Sequence, residues 1–155
     1  RVFSDYGELK NAPAIARTIL EAREDGPIKT TDDLKFVLSR FLPAHISNKI
    51  LAQMYQAIRI EVNQEMDVLK EFLSQSLEIL KPEGRLSVIS YHSLEDRLVK
   101  RFMKNGLFEG EPERDFYGNF SVPFKLVGKL IVPSNEEIKI NNRARSAKLR
   151  IAEKK

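Results

Sequence analysis

The stretch RLSVISYHSLEDRLVKRFM, residues 85–103, decides the fold class. Leu86, Val88 and Ile89 make the short apolar run expected of a strand covered on both faces. The chain then turns through polar residues into an amphipathic helix. Ser93 stands as its N-cap, Asp96 follows three residues later in the capping-box position, and Leu94, Leu98, Val99, Phe102 and Met103 recur at helical spacing. In open α/β sheets, ligands bind outside the carboxyl ends of strands. Ser90, Tyr91, His92 and Ser93 are therefore the candidate pocket-lining residues.

Working outward, everything before residue 80 reads as helical. Residues 14–23 follow an Asn11-Ala12-Pro13 start, and residues 32–40 lie behind a Thr30-Thr31 cap. Residues 47–80 form one long pattern whose apolar positions Ile58, Val62, Met66, Leu69, Leu73, Leu77 and Leu80 are three or four apart, predicting a single core-facing stripe. Met54, Met66 and Phe72 are read as core. The Lys81-Pro82-Glu83-Gly84 turn ends the helix. After the strand-helix unit, residues 105–123 hold Gly106, Gly110, Pro112, Gly118 and Pro123 and read as a long, mobile loop. Residues 124–132 and 147–152 read as strands, joined by a short helix at 136–140 that Ser134 caps together with Glu137. Three strands with a crossover helix resemble half of a doubly wound sheet, with an open edge that a second copy of the chain would be able to satisfy.

With 155 residues, 42% hydrophobic and 31% charged, the chain has ordinary globular composition and is long enough to bury a core. No apolar run reaches the roughly 18 residues that cross a bilayer, and the first ten residues lack a secretory pattern, so a cytoplasmic location is expected. The absence of cysteine removes disulfides, thiolate metal sites and cysteine nucleophiles from this chain, and two distant histidines offer no metal cluster. Charge is unevenly spread. Residues 1–80 hold 10 basic and 12 acidic side chains, whereas residues 81–155 hold 16 basic and 10 acidic. From Lys139 onward seven cations face a single Glu153. Such a strip suits a nucleic-acid backbone, and a solvated strand edge has the same composition.

Four motifs in order suggest a family. YHSLEDRLVKRF, NNRARSAKLRIAEK, QAIRIEVNQE and the opening YGE followed by IARTILEAR resemble the carboxyl-terminal half of the RsmH (MraW) family, S-adenosylmethionine-dependent N4-cytosine methyltransferases of small-subunit (16S) ribosomal RNA. The likeness is collinear from Tyr6 to Lys154, weakest at 105–123. It implies an α/β fold: the last three strands of a class I (Rossmann-like) methyltransferase sheet plus an all-α inserted domain. Residues 1–60 would be part of that insertion and 61–155 the carboxyl-terminal portion of the methyltransferase domain, joined by the long helix 47–80. Tyr91 replaces the family's usual phenylalanine, Asn142 its common proline, and Gln53 an expected arginine. The family's glycine-rich loop, acidic ribose contact and acidic motif near the methyl have no counterpart here. The resemblance therefore implies S-adenosylmethionine in the full-length protein, no cofactor-binding residues in this segment, and a segment that is inactive alone.

Methylating an exocyclic amine needs an in-line approach to the sulfonium methyl and a group that accepts an amino proton, but no covalent nucleophile. C5 methylation of cytosine uses a cysteine adduct, which this chain cannot supply. An RNA target base is presented unstacked, with phosphates held by Arg and Lys. His92 and Tyr91 either line such a pocket or only pack and cap the corner. Gln56, Arg59 and Asn63 share a helix face and either form a polar cluster at the domain junction or a solvated face. Arg143, Arg145, Lys148 and Arg150 are the candidate RNA-binding set. Lys148 and Arg150 alternate with Ala147, Leu149 and Ile151, which predicts that they point away from the core. Expected partners are 16S rRNA or the small ribosomal subunit, the protein's own amino-terminal half, and a second copy through the open edge, with no membrane. A non-catalytic RNA-binding fragment and a self-associating truncation product remain the alternatives.

Overall fold

The computed structural model describes residues 1–114, 116–118 and 120–155. It falls into two compact units, residues 1–65 and 66–155.

The first unit is all helical. A short α1 (Val2–Asp5) precedes α2 (Ala12–Asp25), with Pro13 in its first turn where a missing N–H costs nothing. The Thr30 hydroxyl accepts from the Asp33 N–H, while the Asp33 carboxylate accepts from the Thr30 N–H, so a capping box starts α3 (Thr31–Val37). A turn of 3-10 helix, Ser39–Phe41, follows. The fourth helix, α4 (Ser47–Asn63), buries Met54, Ala57 and Ile60. Ile15, Leu38 and Met54, each 2% exposed or less, form the centre, and Phe3, Leu34 and Ile50 pack on it. Side chains buried to this degree contribute about 1.5–3 kcal/mol each.

The expected continuous helix over 47–80 is broken. Gln64 adopts a left-handed conformation (φ 52°), ending α4, and α5 (Glu65–Ile79) begins anew. The break changes the phase of the apolar stripe. Val62 is 74% and Phe72 49% exposed, contrary to the single-stripe expectation, while Leu73 is fully buried.

In the second unit, β1 (Arg85–Ser90) is followed by α6 (Ser93–Asn105), β2 (Phe124–Leu126), α7 (Asn135–Ile140) and β3 (Lys148–Lys154). The sheet order is β1-β3-β2, with β3 central and antiparallel to both neighbours. Register places Leu86, Val88 and Ser90 opposite Ala152, Arg150 and Lys148. Directly opposed residues share a face. That face packs against helices: Leu86, Phe124 and Ala152 meet Val99, Phe102 and Met103 of α6 and Leu73 of α5. The other face carries Ile89, 56% exposed, so β1 is covered on one side and not on both.

The strand expected over 124–132 is shorter. It pairs regularly to Leu126, and Val127 still donates to the Ile151 carbonyl. Residues 128–130 then bulge out before Ile131 pairs with Leu149. Two chain ends are locked by backbone chemistry. Gly106 takes φ 72° beyond the last turn of α6, and Lys154 Nζ donates at 2.7 Å to both the Leu77 and Leu80 carbonyls, satisfying the end of α5. Lys154 is thus a structural cation and not a free member of the basic strip. The 105–123 connection is partly packed, since Phe108 stacks on Phe102 with centroids 4.7 Å apart. Among the described residues, no helix is long and apolar enough to cross a membrane.

Candidate functional site

The corner between β1 and α6 is held by two acidic residues with different jobs. Glu95 works locally. Its Oε2 accepts from the Tyr91 N–H at 2.9 Å and the His92 N–H at 3.3 Å, while His92 Nδ1 accepts from the Glu95 N–H at 3.4 Å. The N-cap is therefore His92, and the capping box is completed by Glu95. The expected pair of Ser93 and Asp96 is displaced by one residue. The His92 ring is sandwiched over Glu95: its buried Nε2 lies 3.1 Å from Glu95 Oε1, out of line for a hydrogen bond. The His92 contact, partly offset by burial and reinforced by the Tyr91 N–H, brings the Glu95 carboxyl down from 4.5 to about 2.

Asp96, free of capping duty, works at long range. Its carboxylate accepts from Arg150 Nε at 2.7 Å, from an Arg150 terminal nitrogen at 3.2 Å and from Lys148 Nζ at 3.2 Å. Its side chain is 11% exposed and that of Arg150 17%. Burial pushes the Asp96 carboxyl up, but the two cations outweigh it and hold it below the usual range. Lys148 and Arg150 therefore face α6, correcting the expectation that they point away from the core. Their register partners Ser90 and Val88 fix that parity. Together the two carboxylates tie helix to strand on either side of the corner.

The candidate residues separate accordingly. Ser90 is buried at 4% exposure at the end of β1. Tyr91 has its N–H clamped and its side chain presented outward, with the residue 57% exposed. His92 has both ring nitrogens turned toward Glu95, which suits a positioning role better than proton transfer to a substrate. Ser93 opens α6. Arg143 and Arg145 are exposed on a 3-10 turn, Asn142–Ser146, directly before β3. The four basic candidates are thus two exposed arginines and two cations engaged in structure.

In the first unit, Arg59 donates to both Glu65 oxygens at 2.8 and 3.1 Å, and Asn63 donates to Oε1 at 3.3 Å. Gln56 instead reaches the Tyr6 carbonyl at 3.4 Å. Glu65, overlooked in the sequence, is what brings two of the three together across the break at Gln64. Its signal was an acidic residue six positions from Arg59, beyond the i,i+4 reach of an unbroken helix.

The seven glycines do not form a nucleotide cradle. A Cβ at Gly7, Gly84 or Gly106 would strike a packed neighbour of its own turn or loop within 2.8 Å, and Gly26, Gly110, Gly118 and Gly128 stand apart. The residues present do not fit S-adenosylmethionine as a sole binding site. Among the described residues, no group of three His, Cys, Asp or Glu side chains could hold a metal ion.

Comparison with known proteins gives this corner a lineage. The model of the MraW methylase family matches residues 1–155. A protein of Flavobacterium johnsoniae named ribosomal RNA small subunit methyltransferase H is 82% identical over 154 residues, covering 99% of this chain and 51% of that protein. Its namesake in Flavobacterium psychrophilum is 77% identical over 155 residues, covering 100% and 53%, and that of Amoebophilus asiaticus is 56% identical, covering 99% and 50%. The chain spans about half the length of the curated relatives it matches. With the family model running from its first residue to its last, the chain belongs to the MraW methylase family.

Proposed function

We propose that this chain is the carboxyl-terminal part of an S-adenosylmethionine-dependent RNA methyltransferase that methylates the exocyclic N4 of a cytidine in 16S ribosomal RNA. The observation that carries the reading is the clamped corner at the carboxyl end of β1, in a chain whose family membership extends over its whole length. The order β1-β3-β2, with an antiparallel strand between two that run the same way, supports assigning these strands to the end of a class I sheet. The helical unit, residues 1–65, is then part of an inserted domain.

In this reading the methyl donor is held by the amino-terminal part of the protein, whose strands continue the sheet from β1. When bound, S-adenosylmethionine supplies an electrophilic methyl. This chain's residues serve the acceptor. Tyr91 offers a ring on which a flipped cytosine stacks, and the amide clamps of Glu95 keep that ring in place. Arg143 and Arg145, exposed before β3, hold RNA phosphates. The partner is the small ribosomal subunit or its RNA, and the location is cytoplasmic.

The test is transfer of a tritiated methyl from S-adenosylmethionine to unmodified small-subunit RNA. Full-length protein is expected to label the RNA and the 155-residue chain alone to leave it unlabelled. Transfer by the isolated chain would overturn the half-enzyme assignment. Sedimentation of the isolated chain provides a second check, because a concentration-dependent dimer would show that its open sheet edge pairs with a second copy.

A further inference from the structure

We propose that the cleft between α6 and the bulge after β2 is a subsite for a backbone phosphate of the RNA substrate, an inference that rests on the RNA-methyltransferase reading above. The cleft has a volume of about 250 Å³ and is lined by Lys100, Lys104, Lys129 and Arg150 over an apolar wall that includes Leu126 and Leu130. Its size lies just below the range of roughly 300–1,000 Å³ typical of small-molecule sites, which suits one phosphate and its sugar better than a folded element.

No lining residue is acidic. The nearby Asp96 carboxylate is already shared between Arg150 and Lys148. Lys100, Lys104 and Lys129 make no ion pair among the described residues. Lys100 and Lys104 are one turn apart on the same helix face, an arrangement that costs the isolated helix about 0.2–0.5 kcal/mol. The helix dipole explains a cation at Lys104, in the last turn. It does not explain Lys129. That residue reaches the cleft only because the chain bulges between Val127 and Ile131, with Gly128 at φ 70°. Cations converging from a helix and a bulge onto an apolar wall concentrate positive potential where water screens it least. A monoanionic phosphodiester with its sugar against Leu126 and Leu130 is the ligand of matching charge and shape.

The experiment titrates a fluorescent single-stranded oligoribonucleotide from the small-subunit RNA into full-length protein over a range of KCl concentrations. The lysine side chains are replaced together (Lys100→Ala, Lys104→Ala, Lys129→Ala) and, separately, by arginine. Each phosphate contact on a single strand contributes about 0.7 to the slope of log K against log salt. The triple alanine protein is expected to bind at least tenfold more weakly at low salt with a slope smaller by about 2, and the triple arginine protein to retain the wild-type slope. Should the alanine set perturb folding, as read by circular dichroism, Lys129→Ala alone is expected to lower the slope by about 0.7. Wild-type binding with an unchanged slope in these variants would overturn the subsite and leave the RNA reading intact. Absence of RNA binding by wild type would overturn both. Inorganic phosphate that protects the wild-type cleft lysines from acylation, without any effect of the variants on RNA binding, would assign the cleft to a free anion and also overturn the proposal.

Discussion

Replacing Asp96 by alanine tests how the strand-helix corner is held. The substitution removes three hydrogen bonds of 2.7, 3.2 and 3.2 Å and leaves two cations without their shared anion. The two cations are not equivalent. The Lys148 side chain is 39% exposed and can swing its ammonium into water, so its share is at most about 1 kcal/mol. The Arg150 side chain is 17% exposed and pinned in the central strand, so it stays largely dry and unpaired. Breaking such a buried pair typically costs about 3–5 kcal/mol, and the residual exposure places Asp96→Ala near 3 kcal/mol. Asp96→Asn keeps an accepting oxygen but loses the charge, and is expected to cost about 2 kcal/mol. Adding Arg150→Met to Asp96→Ala removes the stranded cation and is expected to recover at least 1.5 kcal/mol, because the uncompensated charge dominates the loss. Urea denaturation of the full-length protein followed by circular dichroism measures all three. A loss below about 0.5 kcal/mol for Asp96→Ala, or no recovery in the double variant, would refute the claim that this triad anchors α6 to β3.

Other outcomes follow from the same geometry. Because the folded Glu95 carboxyl is depressed from 4.5 to about 2, its contribution is complete above pH 4.5 and is lost as the pH falls from there toward 2. The full linkage value is about 3 kcal/mol. With 27% of the side chain in water, roughly half of that is expected, visible as a stability difference between wild type and Glu95→Gln that vanishes by pH 2 in acid titration. Tyr91→Phe is expected to retain methyl transfer within twofold, whereas Tyr91→Ala is expected to lose at least tenfold in kcat/KM, consistent with stacking worth about 1–3 kcal/mol. Gly106→Ala is expected to destabilise the protein by about 1–3 kcal/mol, since φ is 72° and the added Cβ would meet Pro123 at 2.5 Å. Arg143→Ala with Arg145→Ala is expected to weaken RNA binding and lower its salt slope by about 1.4, with thermal stability unchanged.

How much of this was legible in the sequence depended on whether a signal was local. Periodicity and capping residues marked α2, α3, α7 and the β1-α6 unit because helix starts depend on neighbours three or four positions away. The cap of α6 slipped by one residue because serine is the statistically favoured N-cap, whereas here the His92 ring nitrogen accepts the Glu95 amide. That single step reassigned Asp96 from capping to ion pairing. Its partner Arg150 is 54 positions away, and the parity of β3 could not be read locally because apolar residues fall on both of its faces. Ala152 settles the parity only once it is seen buried opposite Leu86. Similarly, Gln64 carries no glycine or proline to advertise the break between α4 and α5. Only its left-handed conformation and the grip of Arg59 and Asn63 on Glu65 reveal it.

The chemistry assigned to this protein is tested most directly by digesting small-subunit RNA to nucleosides after incubation with full-length enzyme and S-adenosylmethionine, and resolving the methylated products by chromatography and mass spectrometry. The account predicts one new product, N4-methylcytidine, absent when the methyl donor is omitted. A methyl group on cytosine C5, on a ribose 2′-oxygen or on another base would contradict it.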